Sequence, residues 1–76
     1  MPPRLPILTS REVIRALERA GFFVHHFSGS HAQLKLPAKP GFRVTVPQHS
    51  KDLPPFILRS ILRQTGLSAE EFLKLL

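Results

Sequence analysis

Three short, apolar-rich segments lie between residues 22 and 46: Phe22 to Phe27, His31 to Leu36 and Phe42 to Val46. They are split by Ser28-Gly29-Ser30 and by Pro37-Ala38-Lys39-Pro40-Gly41, connectors short enough for hairpins, so the spacing predicts an antiparallel three-stranded meander. Its register can be tested against the hydrophobic pattern. A first turn centred on Gly29 sets Leu34 opposite Val24 and Leu36 opposite Phe22, and a second centred on Lys39 sets Leu34 opposite Val44 and Leu36 opposite Phe42. Both pairings gather apolar side chains on one face, the agreement between turn and pattern that a correct register requires. The other face would carry Phe23, His25, Phe27, His31, Gln33, Lys35, Arg43 and Thr45, while His26 would point toward the apolar side.

Helical signals flank these strands. Residues 1–8 are proline-rich and expected to be extended. Thr9 and Glu12 then have capping-box spacing, and Leu8 and Val13 occupy the two positions of a hydrophobic staple. Val13, Ala16, Leu17 and Ala20 recur at helical spacing as the buried stripe, and Gly21 supplies the stop. A second helix is expected from about Leu53 or Pro54, with Ser50 or Asp52 as cap, Ile57, Leu58, Ile61 and Leu62 as its apolar face and Gly66 as its end. Ser68 and Glu71 repeat the capping-box spacing for a short last helix, from which Phe72, Leu73 and Leu76 can pack back. The order α-β-β-β-α, with both main helices on the apolar face of the sheet, is an α+β two-layer sandwich built as one domain over residues 1–76. Double-stranded-RNA-binding domains share that order.

Composition limits what such a domain can do. A chain of 76 residues buries only about 60% of the surface its unfolded form exposes. With no cysteine it has no disulfide framework, thiolate zinc cluster or thiol nucleophile, which suits a reducing cytoplasm. Its apolar runs are far shorter than the roughly 20 residues of a membrane span, and Met1-Pro2-Pro3-Arg4 lacks the apolar core of a signal peptide, so a soluble cytoplasmic protein is expected. Eleven Lys and Arg against five Asp and Glu give a net charge of +6, and residues 1–51 hold eight of the bases against only Glu12 and Glu18. A polyanion is therefore the leading class of partner, met by the first two-thirds of the chain.

Histidines are the only side chains here whose unperturbed pKa lies near neutrality, so acid–base chemistry would have to use them. In the register above His31 lies opposite the end of the third strand, near Pro47, with His49 two residues beyond, so both converge with the Ser28-Gly29-Ser30 turn on one end of the sheet. For His25, His26 and His49 the alternative is an ordinary strand or turn residue. A metal site is not expected, since the adjacent His25-His26 pair chelates one ion poorly and no His-x-x-x-His is present. Nor is there a Gly-x-Ser-x-Gly elbow for a serine hydrolase. Arg11, Arg15 and Arg19 lie at i, i+4 and i+8 as one basic ridge, either a solvated helix face or a set of phosphate contacts. Phe23 and Phe27 could stack bases or be covered by the amino-terminal segment or by a partner.

Four phrases in order carry a family likeness: Ala20-Gly21-Phe22 closing the first helix, Gly29-Ser30-His31 opening a strand, Val46-Pro47-Gln48-His49, and Ile61-Leu62-Arg63-Gln64-Thr65-Gly66-Leu67-Ser68. Together they resemble the HicA (YcfA-like) toxins of bacterial toxin–antitoxin pairs, from residue 10 to about residue 72. The resemblance implies a small mRNA-cleaving ribonuclease on a double-stranded-RNA-binding-domain-like fold, held inactive by a HicB antitoxin, with His31 as the catalytic residue. Where the family often carries Gly-Thr before the second helix, this chain reads Leu53-Pro54-Pro55-Phe56, so a hydroxyl and a flexible backbone are missing there.

Its convergence with His49 at one end of a basic face, together with the resemblance, makes His31 the candidate general base or acid of a metal-independent, cofactor-free endoribonuclease. His49, Lys35 and Arg43 are candidates for proton transfer and phosphate charge, and Gly29 and Ser30 for donors to a phosphate. A non-catalytic binder of double-stranded RNA, gripping by shape and charge, is the alternative. A third is an adaptor whose basic face meets an acidic protein. A small acidic antitoxin covering His31 would satisfy the first and third together.

Overall fold

The computed structural model describes residues 4–48 and 52–76. The elements run α1 (Ser10–Arg19), β1 (Phe23–Ser28), β2 (His31–Leu36), β3 (Lys39–Pro47), α2 (Pro55–Thr65) and α3 (Ala69–Leu73). The sheet is antiparallel in the order β1-β2-β3, and the helices pack on one face, giving the α-β-β-β-α two-layer sandwich with a short extra helix. No helix among the described residues is long and apolar enough to cross a membrane.

The core lies where the hydrophobic pattern puts it. Val13, Ala16 and Leu17 of α1, Ala32 and Leu34 of β2, Val44 and Val46 of β3, Leu58, Ile61 and Leu62 of α2 and Phe72 of α3 form one buried cluster. The expected pairs Val24–Leu34 and Leu34–Val44 are both present at its centre. Leu8 and Leu53 are buried beside it, and the Leu53 N–H donates to the Leu8 carbonyl at 2.7 Å in an isolated bridge.

Both capping boxes form. The Glu12 N–H donates to Thr9 Oγ1 at 3.2 Å while the Thr9 N–H donates to Glu12 Oε1 at 3.0 Å; Ser68 and Glu71 do the same at 3.0 and 2.9 Å. The backbone N–H of Thr9, then its hydroxyl, holds the Glu12 carboxyl below its ordinary pKa, and Ser68 acts likewise on Glu71. A carboxylate with a depressed folded pKa contributes stability that is present above its unfolded value and lost as pH falls through the folded one. Thr9→Ala is therefore expected to cost about 1 kcal/mol near neutral pH. The deficit should shrink as the buffer is taken below about pH 4, the ordinary glutamate range. Urea melts of wild type and variant at pH 7 and pH 3 check this; a deficit equal at both would assign the loss to the bond the Thr9 hydroxyl accepts from the Glu12 N–H, which does not titrate, and not to its bond with the carboxylate.

Four expectations are corrected. First, β1 is bulged between Val24 and His26, so His26 pairs with Gln33 and Phe27 with Ala32. Ala32 faces the core, so Phe27 leaves the polar face for the helix side, and His26 moves to the polar face. Second, β3 begins at Lys39, opposite Leu36, so Leu36 is not paired with Phe42. Phe42 instead sets its ring 6.1 Å from that of Phe22. Third, α2 is capped by Pro54 without a side-chain bond; Leu53 is drawn into the bridge with Leu8, so Asp52 lies outside the helix start. Ser50, the other expected cap, lies outside the described residues. Fourth, Leu76 is exposed and Leu75 packs against the core in its place.

Candidate active site and nucleic-acid interface

The site is built at the end of the sheet where β1 turns into β2. Ser28 pairs with His31, leaving Gly29 and Ser30 as a two-residue turn in which Gly29 adopts φ 58°. That left-handed backbone suits glycine at the first central position of a hairpin turn. His31 follows at once, exposed, and its backbone is held between Ser28 on β1 and Pro47 on β3. Two further bonds brace this end. The Gln48 N–H donates to the Ser30 carbonyl at 2.5 Å, and the buried Ser10 hydroxyl at the start of α1 donates to the Pro47 carbonyl at 2.6 Å. His31 is thus a solvent-facing imidazole on a rigid mount, the arrangement a positioned acid or base needs.

Two basic surfaces flank it. On the polar face Lys35 sits directly opposite Arg43 across β2 and β3. Like charges in that position are destabilising on their own account, so the pair marks a surface suited to an anion. On the helix side, Arg11 and Arg15 line a groove of about 310 Å³ with Ile14, Glu18, Val24, Phe27 and Gln48. Gln48 is the residue bonded to Ser30, so this groove reaches the same end of the sheet as His31. Arg19 continues the ridge, but its guanidinium donates to the Leu75 carbonyl at 2.6 Å and has a partner within the fold. His49 lies outside the described residues.

The structure brings together His31, Gly29, Ser30, Arg11 and Gln48 at one end, with Lys35 and Arg43 farther along the polar face. Reading the sequence missed a second cluster there, a pocket of about 210 Å³ lined by His25, His26, Ser28, Gln33 and Arg43. The bulge creates it by turning His26 outward beside His25. Among the described residues, no group of three or more His, Cys, Asp or Glu side chains is placed to hold a metal ion.

A comparison with curated proteins found no match. The profile of the HicA toxin of bacterial toxin–antitoxin systems matches residues 10–67, from the first residue of α1 to just beyond the glycine that ends α2. That span contains the three strands, both main helices and the braced end on which His31 stands, and on this match the chain belongs to the HicA toxin family.

Proposed function

We propose that the protein is the toxin of a toxin–antitoxin pair and acts as an endoribonuclease on mRNA, with His31 moving the proton in the cleavage step. The observation that carries this reading is the position of His31: exposed, mounted at a braced strand start and flanked by basic surfaces. RNA brings its own nucleophile. If the 2′-oxygen bonds to phosphorus as the P–O5′ bond breaks, the enzyme has to align the two oxygens, take a proton from one or give one to the other, and offset charge on the phosphoryl oxygens. His31 is suited to the proton transfer, and Arg43, Lys35, Arg11 and Arg15 to the charge. Gly29 and Ser30 add backbone and hydroxyl donors beside the imidazole, and His49 remains a candidate for proton transfer.

The partner that this reading implies is a small acidic, HicB-like antitoxin. A protein seated over His31 would neutralise the basic surfaces and close the site in one step. The cytoplasm, where mRNA is translated, is the expected place of action.

The test is incubation of the purified protein with an end-labelled single-stranded mRNA, with and without EDTA. Internal fragments are expected in both, because the proposed chemistry uses imidazole and arginine and no bound ion. Fragments lost on adding EDTA would overturn the metal-independent mechanism. Binding without fragments would favour the non-catalytic RNA-binding alternative.

A further inference from the structure

The pocket opened by the β1 bulge holds an unusual group. The Oε1 atom of Gln33 is buried and has no hydrogen-bond partner among the described residues. A buried acceptor left unmade is costly, and nearly all such groups in folded proteins find a donor. Gln33 is also one of the residues lining the pocket, with His25, His26, Ser28 and Arg43. The pocket is thus lined by a residue whose buried acceptor has no donor, by a cation on one side and by two imidazoles on the other.

Its size and walls narrow the ligand further. About 210 Å³ is below the roughly 300–1,000 Å³ of pockets that enclose whole drug-sized molecules, and matches a single planar ring system better. Two imidazoles line it, and outside the lining the His25 ring stands edge-on to the exposed Phe23, with centroids 6.4 Å apart. Such rings stack bases of any sequence. Gln33 follows His31 by two residues on β2, so the pocket lies on the same face roughly 7 Å along the strand, at about 3.3–3.4 Å per residue.

We propose that this pocket is a nucleobase subsite beside His31, in which the Gln33 amide oxygen accepts a hydrogen bond from the exocyclic amino group of a base. The proposal rests on the ribonuclease reading for the identity of the strand but concerns which base is preferred. Adenine, cytosine and guanine each carry such an amino group. Uracil carries a carbonyl oxygen at the position of the cytosine amine, which would set acceptor against buried acceptor. Sites built to hydrogen-bond a polar group discriminate against the analogue lacking it, because their own group is then left unpaired.

The experiment uses the full chain carrying His31→Ala, so that RNA is bound without being consumed, and fluorescein-labelled hexamers of rA, rC and rU read by anisotropy. Binding of rC and rA about tenfold tighter than rU is expected. Adding the near-isosteric Gln33→Met change should bring all three within about twofold while leaving the rU affinity where it was, which also reports that the variant is folded. Equal affinities in the parent, a preference that survives Gln33→Met, or no binding of any hexamer overturns the subsite. A clear preference in a protein whose wild type cuts no RNA would remove the ribonuclease and keep the subsite; cleavage without preference would do the reverse.

Discussion

Replacing His31 with alanine is expected to lower the rate of RNA cleavage by about 10²–10⁴-fold, the span over which one positioned acid or base contributes. Fold and RNA affinity should hardly move. The imidazole is exposed, and the contacts that fix this end of the sheet run through backbone pairs to Ser28 and Pro47 and through the Gln48–Ser30 bond, none of which uses the side chain. Surface changes of that kind usually stay within about 0.5 kcal/mol. Affinity for RNA rests mainly on phosphate contacts from Arg and Lys, which the substitution leaves in place. Single-turnover cleavage of a labelled RNA measures the rate, a thermal melt measures the fold, and growth on induction reports toxicity. A His31→Ala protein that still cuts RNA and still arrests growth would return the catalytic assignment to the other histidines.

The sequence carried most of the fold because its local signals agree with one another. Thr9 with Glu12 and Ser68 with Glu71 specify two helix starts, Gly21 and Gly66 specify two stops, and each is found in the cap geometry its residue type dictates. The central register was legible because Val24, Leu34 and Val44 have only one arrangement that keeps all three on the core side. The bulge was also within reach. A two-residue Gly29-Ser30 turn pairs Ser28 with His31, yet three residues separate Val24 from Ser28 and only two separate His31 from Leu34. The two constraints can be met together only if one residue of β1 is left over. Centring the turn on Gly29 hid that surplus, and so misplaced His26 and Phe27.

What the sequence could not show is where the chain spends residues without a periodic signal. The start of α2 follows from a tertiary event, the pairing of Leu53 with Leu8 some 45 positions earlier in the chain, which delays the helix to Pro55. The same holds for Arg19, whose place on the basic ridge follows from helical spacing but whose bond to the Leu75 carbonyl depends on how the last helix docks. The pocket around Gln33 combines both difficulties, since it needs the bulge on β1 and the pairing of β2 with β3 at once.

Phe72→Ala is expected to be among the most destabilising single changes in the protein, costing about 3–5 kcal/mol. At about 0.05–0.15 kcal/mol per residue, a 76-residue domain has roughly 4–11 kcal/mol of stability in all, so the variant would lose a large share of it. Phe72 is the largest of the fully buried side chains and sits at 0% exposure in the cluster formed by α1, the sheet and α2. It comes from a helix of five residues, far too short to be stable alone, and from beyond residue 67, where the family match ends. The short helix is therefore held chiefly by this ring, with Ala69 and Leu75 packed beside it, the Ser68–Glu71 box and the Arg19–Leu75 bond. Phe56→Ala, at a position 66% exposed on α2, is the control and should stay within about 0.5 kcal/mol. Urea denaturation of both variants measures the difference. Equal midpoints would mean that α3 does not complete the core, and that the domain is stable without the segment past Gly66.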